Sequence, residues 1–119
     1  MRSILIVDDD DEFRQALADG LCYEGLKVHA VRNGREALDW LASQTGDDWT
    51  IVLDIMMPVM DGRAFLEARA RDPRLAALPV VILTAGADCR ELRASYKFEA
   101  CLPKTTSLAA LLASIRACG

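Results

Sequence analysis

What this chain lacks narrows it quickly. No run of lysines or arginines stands out and the formal net charge is -4, which argues against nucleic acid or an anionic membrane surface as a direct partner. The apolar start Ile4-Leu5-Ile6-Val7 is interrupted by Asp8 to Asp11, too early for a signal peptide or a membrane span. No two of the four cysteines, at 22, 89, 101 and 118, have the C-x-x-C spacing of a zinc or redox site. A chain of 119 residues also needs no covalent staples. The cysteines therefore read as reduced thiols in a cytosol, with Cys22 and Cys101 as core or near-core fillers and Cys118 in a frayed terminus. The single histidine, His29, falls on an expected edge strand and reads as a surface residue rather than a ligand. Repeats, low-complexity tracts and linkers are missing.

What is present is a repeating alternation. Hydrophobic residues make up 52% and charged residues 27%, a globular balance for one domain. Ile4 to Val7 predicts a first strand. Asp10 or Asp11 then caps a helix whose Phe13, Ala16, Leu17, Gly20 and Leu21 form one apolar face. Gly25 stops it, and Lys27 to Val31 predicts a second strand. Asn33-Gly34 opens a second helix through Ala37, Leu38, Leu41 and Ala42, ending near Gly46. Ile51 to Leu53 predicts the third strand, and Asp61 caps a helix in which Phe65, Ala68 and Arg69 alternate core and solvent positions. Asp72-Pro73 ends that helix. Val80 to Leu83, a weaker helix from Asp88 to about Tyr96, a brief strand at Ala100 to Leu102 and a last helix through Leu108, Leu111, Leu112 and Ile115 complete the series. Trp40 and Trp49 read as packing residues. Apolar strands alternating with helices imply an α/β domain with a parallel sheet covered on both faces.

In such a sheet the strands' carboxyl ends share one edge, where ligands bind. Asp8 and Asp9 leave the first strand there, Asp54 the third, Thr84 the fourth and Lys104 the fifth. Asp54 ends an apolar strand abruptly, where an unpaired buried carboxylate would cost several kcal/mol. Oxygen-only ligands suit Mg²⁺, and a hydroxyl with an ammonium suits the oxygens of a phosphoryl group. A carboxylate in that setting can serve as a nucleophile and form an aspartyl phosphate. Asp10 and Asp11 read instead as caps and a solvated helix start.

Four stretches carry a resemblance: Ile4-Leu5-Ile6-Val7-Asp8-Asp9-Asp10, Val52 to Gly62, Leu78 to Ala85, and Leu102-Pro103-Lys104. In this order the chain resembles a receiver domain of the bacterial response-regulator family, of the chemotaxis-type single-domain kind, over essentially its whole length. The resemblance implies a flavodoxin-like (βα)5 three-layer sandwich with strand order 2-1-3-4-5. It implies residues 1–119 as a single receiver domain with no output domain in this chain. It implies that Asp54 accepts a phosphoryl group from a phosphohistidine on a sensor histidine kinase or a histidine phosphotransfer protein, in two-component or phosphorelay signalling. Asp9 and Asp54 would ligate Mg²⁺ (or Mn²⁺) directly, Asp8 through water and Met56 through its backbone carbonyl. Thr84, Lys104 and the backbone of Ala85 would hold phosphoryl oxygens. The chain would be a cytoplasmic signalling switch rather than an enzyme, acting on a downstream protein target.

The chain departs from the family pattern in places. Cys101 stands where members usually carry an aromatic switch residue. Thr105 stands in place of a proline, Phe98-Glu99-Ala100 in place of a Gly-Ala turn, and the Thr84–Lys104 segment is short, so the fourth main helix is expected to be short or irregular. Met56 and Gly86 offer no polar side chain to hold a hydrolytic water, which predicts a slowly decaying phosphorylated form. Tyr96, Phe98 and Cys101 fall on the expected output face, where partner contact and local packing are both open readings. Two other readings compete. Asp8-Asp9-Asp10 has the D-x-D spacing of a haloacid-dehalogenase-like phosphatase, with Asp8 as nucleophile and Asp10 as acid, but this leaves Asp54 unexplained. A phosphate-independent pseudo-receiver scaffold is the third.

Overall fold

The computed structural model describes residues 3–44, 48–57 and 59–118. Its elements run β1 (Ser3–Val7), α1 (Asp11–Tyr23), β2 (Val28–Val31), α2 (Gly34–Ser43), β3 (Trp49–Leu53), α3 (Gly62–Arg71), α4 (Pro73–Ala76), β4 (Val80–Thr84), α5 (Cys89–Ser95), β5 (Ala100–Pro103) and α6 (Leu108–Ala117). The strands form one five-stranded sheet in the order β2-β1-β3-β4-β5, and every pairing is parallel. This is the flavodoxin-like arrangement that the resemblance implies. The expected helix end near Gly46, and the turn at Pro58, lie outside the described residues.

Alternation along the strands builds two cores. Leu5, Val7, Ile51, Leu53, Val80 and Ile82 face one way and pack against Ala37 and Leu41 of α2, Phe65 and Leu66 of α3, Leu75 of α4 and Leu92 of α5. Ile4, Ile6, Val52, Val81 and Leu83 face the other way, against Leu21 of α1 and Leu111, Leu112 and Ile115 of α6. The three central strands β1, β3 and β4 are covered on both faces, so their sequences are almost continuously apolar, whereas the edge strands β2 and β5 are only half-buried.

The helix starts follow the capping residues. Asp10, Asn33, Asp61, Asp88 and Ser107 each accept a hydrogen bond from a backbone amide two or three residues on. At Asp72 one helix stops and another begins: its amide donates to the Arg69 carbonyl while its side chain accepts from the Arg74 amide. The short α4 was not expected, although proline just inside a new helix start after an aspartate cap is its ordinary signature. Arg74 then ties α4 to the end of α2 by donating to the carbonyls of Leu41 (2.9 Å) and Gln44 (2.6 Å).

Three expectations are corrected. Cys89 and Cys101 are joined in a disulfide, not reduced; the fold sets the start of α5 beside β5, and spacing along the chain does not reveal that proximity. Cys22 is exposed on α1 rather than filling a core. Arg69 is buried rather than solvated, because its guanidinium donates to the carbonyls of Lys97 (2.9 Å), Ala76 (3.2 Å) and Leu78 (2.6 Å) where three chain segments meet. Burial holds its pKa below the ordinary arginine value. His29 is half-buried, its ring stacked on Trp40 at 3.5 Å between centroids, and Trp40 meets Trp49 edge to face. Among the described residues no helix is long and apolar enough to cross a membrane.

Candidate functional site

The β1–β3 ladder continues past the strands, and this continuation builds the site. The Asp54 amide donates to the Val7 carbonyl at 2.9 Å, and the Asp8 amide to the Val31 carbonyl at 3.2 Å. Asp8 and Asp54 therefore leave the sheet side by side, and both are buried, at 3% exposure each. Asp9, the next residue, is exposed. One carboxylate oxygen from each of Asp8, Asp9 and Asp54 lies within 4.8 Å of the others.

Lys104 reaches back over this cluster from the end of β5. Its Nζ lies 2.9 Å from Asp8 Oδ2 and 3.3 Å from Asp54 Oδ2, above the ring of Phe13 at 4.8 Å. The Lys104 amide also donates to the Thr84 carbonyl at 3.0 Å, which couples the lysine to the end of β4. Thr84 is 4% exposed, and its Oγ1 has no hydrogen-bond partner among the described residues. A buried hydroxyl left in this way is costly, so its position calls for an acceptor that comes from outside the chain.

The loop after Asp54 is tightly folded. The Met56 amide donates to Asp54 Oδ1 at 3.2 Å, while the Met56 side chain stands 65% exposed. The Gly62 amide donates to the Ile55 carbonyl at 3.0 Å. A Cβ at Gly62 would lie 2.6 Å from the Asp54 carbonyl oxygen and 2.7 Å from Ile55 Cα, so only glycine permits this approach. Val59 holds φ at 69°, a left-handed conformation that a β-branched residue adopts only under strain.

Electrostatics follow from the burial. Desolvation, and then the Asp8 charge, push the Asp54 pKa above the usual carboxylate value; Lys104 and the Met56 amide oppose them without prevailing. For Lys104, desolvation works downward, but the hydrogen bond to Asp8 and the charges of Asp8 and Asp54 outweigh it, and the net direction is upward. Two partly desolvated carboxylates thus share one ammonium, which leaves the cluster short of positive charge.

Of the residues singled out from sequence, Asp8, Asp9, Asp54 and Lys104 meet in one place, with Thr84 held against Lys104 through the backbone. Ala85 follows Thr84 and is exposed. Cys101 stands apart, on the edge strand β5 in register with Ile82 of β4. Two participants were not anticipated. In the sequence Phe13 reads only as part of an apolar stripe, yet its ring lies under the Lys104 ammonium. Arg14, one residue on, donates from Nη1 to the Asp8 carbonyl at 2.9 Å.

The family model described as the response regulator receiver domain matches residues 4–116. This chain belongs to the response regulator receiver family. Among curated relatives of this receiver domain, the response regulator MprA of Mycolicibacterium vanbaalenii is 42% identical over 118 residues, covering 96% of this chain and 48% of that protein. MprA of Mycobacterium tuberculosis is 39% identical over 119 residues, covering 96% and 49%. The chain spans about half the length of the curated relatives it matches. Among solved structures, the chemotaxis response regulator CheY4 of Vibrio cholerae superposes with a TM-score of 0.86 at 26% identity, covering 100% of this chain and 99% of that one. The response regulator TrrA of Thermotoga maritima, solved in complex with Mg²⁺ and BeF, gives a TM-score of 0.84 at 28% identity, with both chains covered in full.

Proposed function

We propose that Asp54 is the phosphoacceptor of this receiver domain, taking a phosphoryl group from a phosphohistidine on a sensor histidine kinase or a histidine phosphotransfer protein. The observation that supports it best is the unpartnered, buried Thr84 hydroxyl at the end of β4, the residue whose carbonyl accepts from the Lys104 amide, together with a carboxylate cluster that Lys104 only partly neutralises. A transferred phosphoryl group supplies what both lack: an acceptor for Thr84 Oγ1 and a second anionic partner for Lys104.

In the transfer, an Asp54 carboxylate oxygen bonds to phosphorus as the histidine N–P bond breaks, and the freed imidazole nitrogen takes a proton from solvent. Hydrolysis then adds water at phosphorus, restoring the Asp54 carboxylate and releasing phosphate. The donor set of Asp8, Asp9 and Asp54 consists of oxygen ligands alone and fits Mg²⁺ or Mn²⁺. Asp9 and Asp54 would hold the ion directly, Asp8 through water and Met56 through its backbone carbonyl. When bound, it would neutralise charge on the phosphoryl oxygens. Lys104 and the Ala85 backbone hold further phosphoryl oxygens, and the movement of Thr84 and Lys104 toward them shifts the population of a protein-interaction surface.

On this reading the chain is a signalling switch that catalyses only its own phosphorylation and dephosphorylation, in the cytoplasm. Met56 and Gly86 leave no polar side chain for a hydrolytic water, so the phosphorylated form is long-lived; a lifetime as short as that of fast chemotaxis-type receivers contradicts this. Asp10 does not favour the phosphatase alternative, since its side chain accepts from the Phe13 amide at 3.1 Å as a helix cap. Peptide mapping after labelling with acetyl phosphate in the presence of Mg²⁺ tests the assignment. Label on Asp54 supports it, and label on Asp8 favours the phosphatase chemistry. A folded chain that takes no label is a scaffold.

A further inference from the structure

The Cys89–Cys101 bridge joins the first residue of α5 to the middle of β5. We propose that these two cysteines form a reversible dithiol–disulfide site, exchanging with low-molecular-weight disulfides, whose oxidation state sets whether α5 follows a change at Thr84.

Three observations carry this. First, α5 is weakly anchored otherwise. It spans Cys89–Ser95 and buries one side chain, Leu92. Its other ties are polar or exposed on the α5 side: Arg63 to Glu91 at 3.1 Å, the Tyr96 hydroxyl donating to Glu67 Oε1 at 3.0 Å, and the Arg93 guanidinium 4.6 Å above the Phe98 ring. Exposed ion pairs of this kind contribute little, so a short helix with one buried residue belongs to the easily opened parts of a fold. The bridge is then its firmest attachment to the sheet.

Second, the bridge lies between the two residues that would respond to a phosphoryl group. Residues 85–88 separate Thr84 from Cys89, and Leu102 and Pro103 separate Cys101 from Lys104. With the bridge closed, displacement of Thr84 must be absorbed within residues 85–88, because Cys89 is fixed to β5. With it open, displacement can be passed on to α5. Third, both cysteines are partly exposed, although Cys101 also packs against the core, and a small disulfide needs to reach only one of them to start the exchange.

The chemistry balances without other reagents. One protein thiolate attacks the small disulfide, forming a mixed disulfide and releasing one small thiolate. The second protein thiolate attacks the protein sulfur of the mixed disulfide, closing Cys89–Cys101 and releasing the other. The protons of the two cysteines end on the two released thiols, and a dithiol reverses the sequence.

The coupling to Thr84 rests on the phosphoacceptor reading, and the test separates the two. A Cys22→Ser/Cys118→Ser chain leaves only the pair in question. It is oxidised with hydroxyethyl disulfide or reduced with dithiothreitol, and amide exchange over residues 89–95 is followed by mass spectrometry. Oxidation is expected to remove two hydrogen masses and protect α5, with protection lost on reduction and equally lost in added Cys89→Ser or Cys101→Ser variants. Failure of the pair to close, or equal exchange in all forms, overturns the proposal. Acetyl phosphate and Mg²⁺ are then added, with the label checked by intact mass. Labelled chain is expected to show altered α5 exchange when reduced and none when oxidised. The same α5 response in both states overturns the coupling. No label in either state overturns the phosphoacceptor reading instead and leaves the exchange result standing.

Discussion

The Asp54 amide donates to the Val7 carbonyl at 2.9 Å. This hydrogen bond extends the β1–β3 ladder past both strands and brings the Asp54 carboxylate beside that of Asp8, with Lys104 Nζ between them. The properties of the site follow from this crowding of like charges around one cation.

Lys104→Met removes that cation. Two buried carboxylates are left to repel each other, and stability in the absence of divalent ions falls by about 2 kcal/mol. The same change removes a competitor for the carboxylates, so Mg²⁺ binds more tightly than to the wild type. Urea denaturation and calorimetric titration with Mg²⁺ measure the two effects. Weaker Mg²⁺ binding would show that Lys104 supports the metal site instead of competing with it.

Thr84→Val exchanges a hydroxyl without a hydrogen-bond partner for a methyl group of the same shape. Removing a buried, unsatisfied polar group is neutral or stabilising, by up to about 1 kcal/mol. Binding of beryllium fluoride, used as a phosphoryl mimic, loses one charge-assisted hydrogen bond and weakens about tenfold or more. Thr84→Ser retains the affinity. A clear loss of stability in Thr84→Val would mean that the hydroxyl is satisfied in the unphosphorylated chain.

Opening Cys89–Cys101, by reduction or by Cys89→Ser, restores the freedom of a loop with a sequence separation of 12 in the unfolded chain. Loop-closure entropy predicts a loss of about 2–3 kcal/mol. Urea midpoints with and without reductant check it, and coincident midpoints refute it.

Burial of the His29 ring against Trp40 lowers its pKa from 6.5. The fold therefore favours neutral imidazole, and the unfolded chain binds more protons below that value. The stabilisation is complete above pH 6.5 and is lost as pH falls toward the depressed folded value. His29→Phe is expected to lose less stability than the wild type between about pH 8 and about pH 5. Parallel stability profiles for the two would contradict this.

The parts of this molecule that were legible in its sequence are those set by local pattern plus one topological rule. Apolar strands ending in Asp8, Asp54, Thr84 and Lys104 place those residues together once the sheet is parallel, because every carboxyl end then shares one edge. The burial of Arg69 was not legible, since its partners are backbone carbonyls, of Ala76 and Leu78 nearby and of Lys97 far along the chain, which carry no side-chain signal and meet only in the fold. Nor was the Cys89–Cys101 bridge, which depends on where α5 begins relative to β5. Phe13 did carry a signal: an aromatic two residues after the Asp10-Asp11 pair is placed to face the same edge as Asp8.

The most direct measurement of the central claim is intact mass after incubation with acetyl phosphate, with and without Mg²⁺, on the wild type and Asp54→Ala. The account predicts a Mg²⁺-dependent gain of one phosphoryl group in the wild type and none in Asp54→Ala. A folded wild-type chain that gains nothing, or an Asp54→Ala chain that still takes the label, would contradict it.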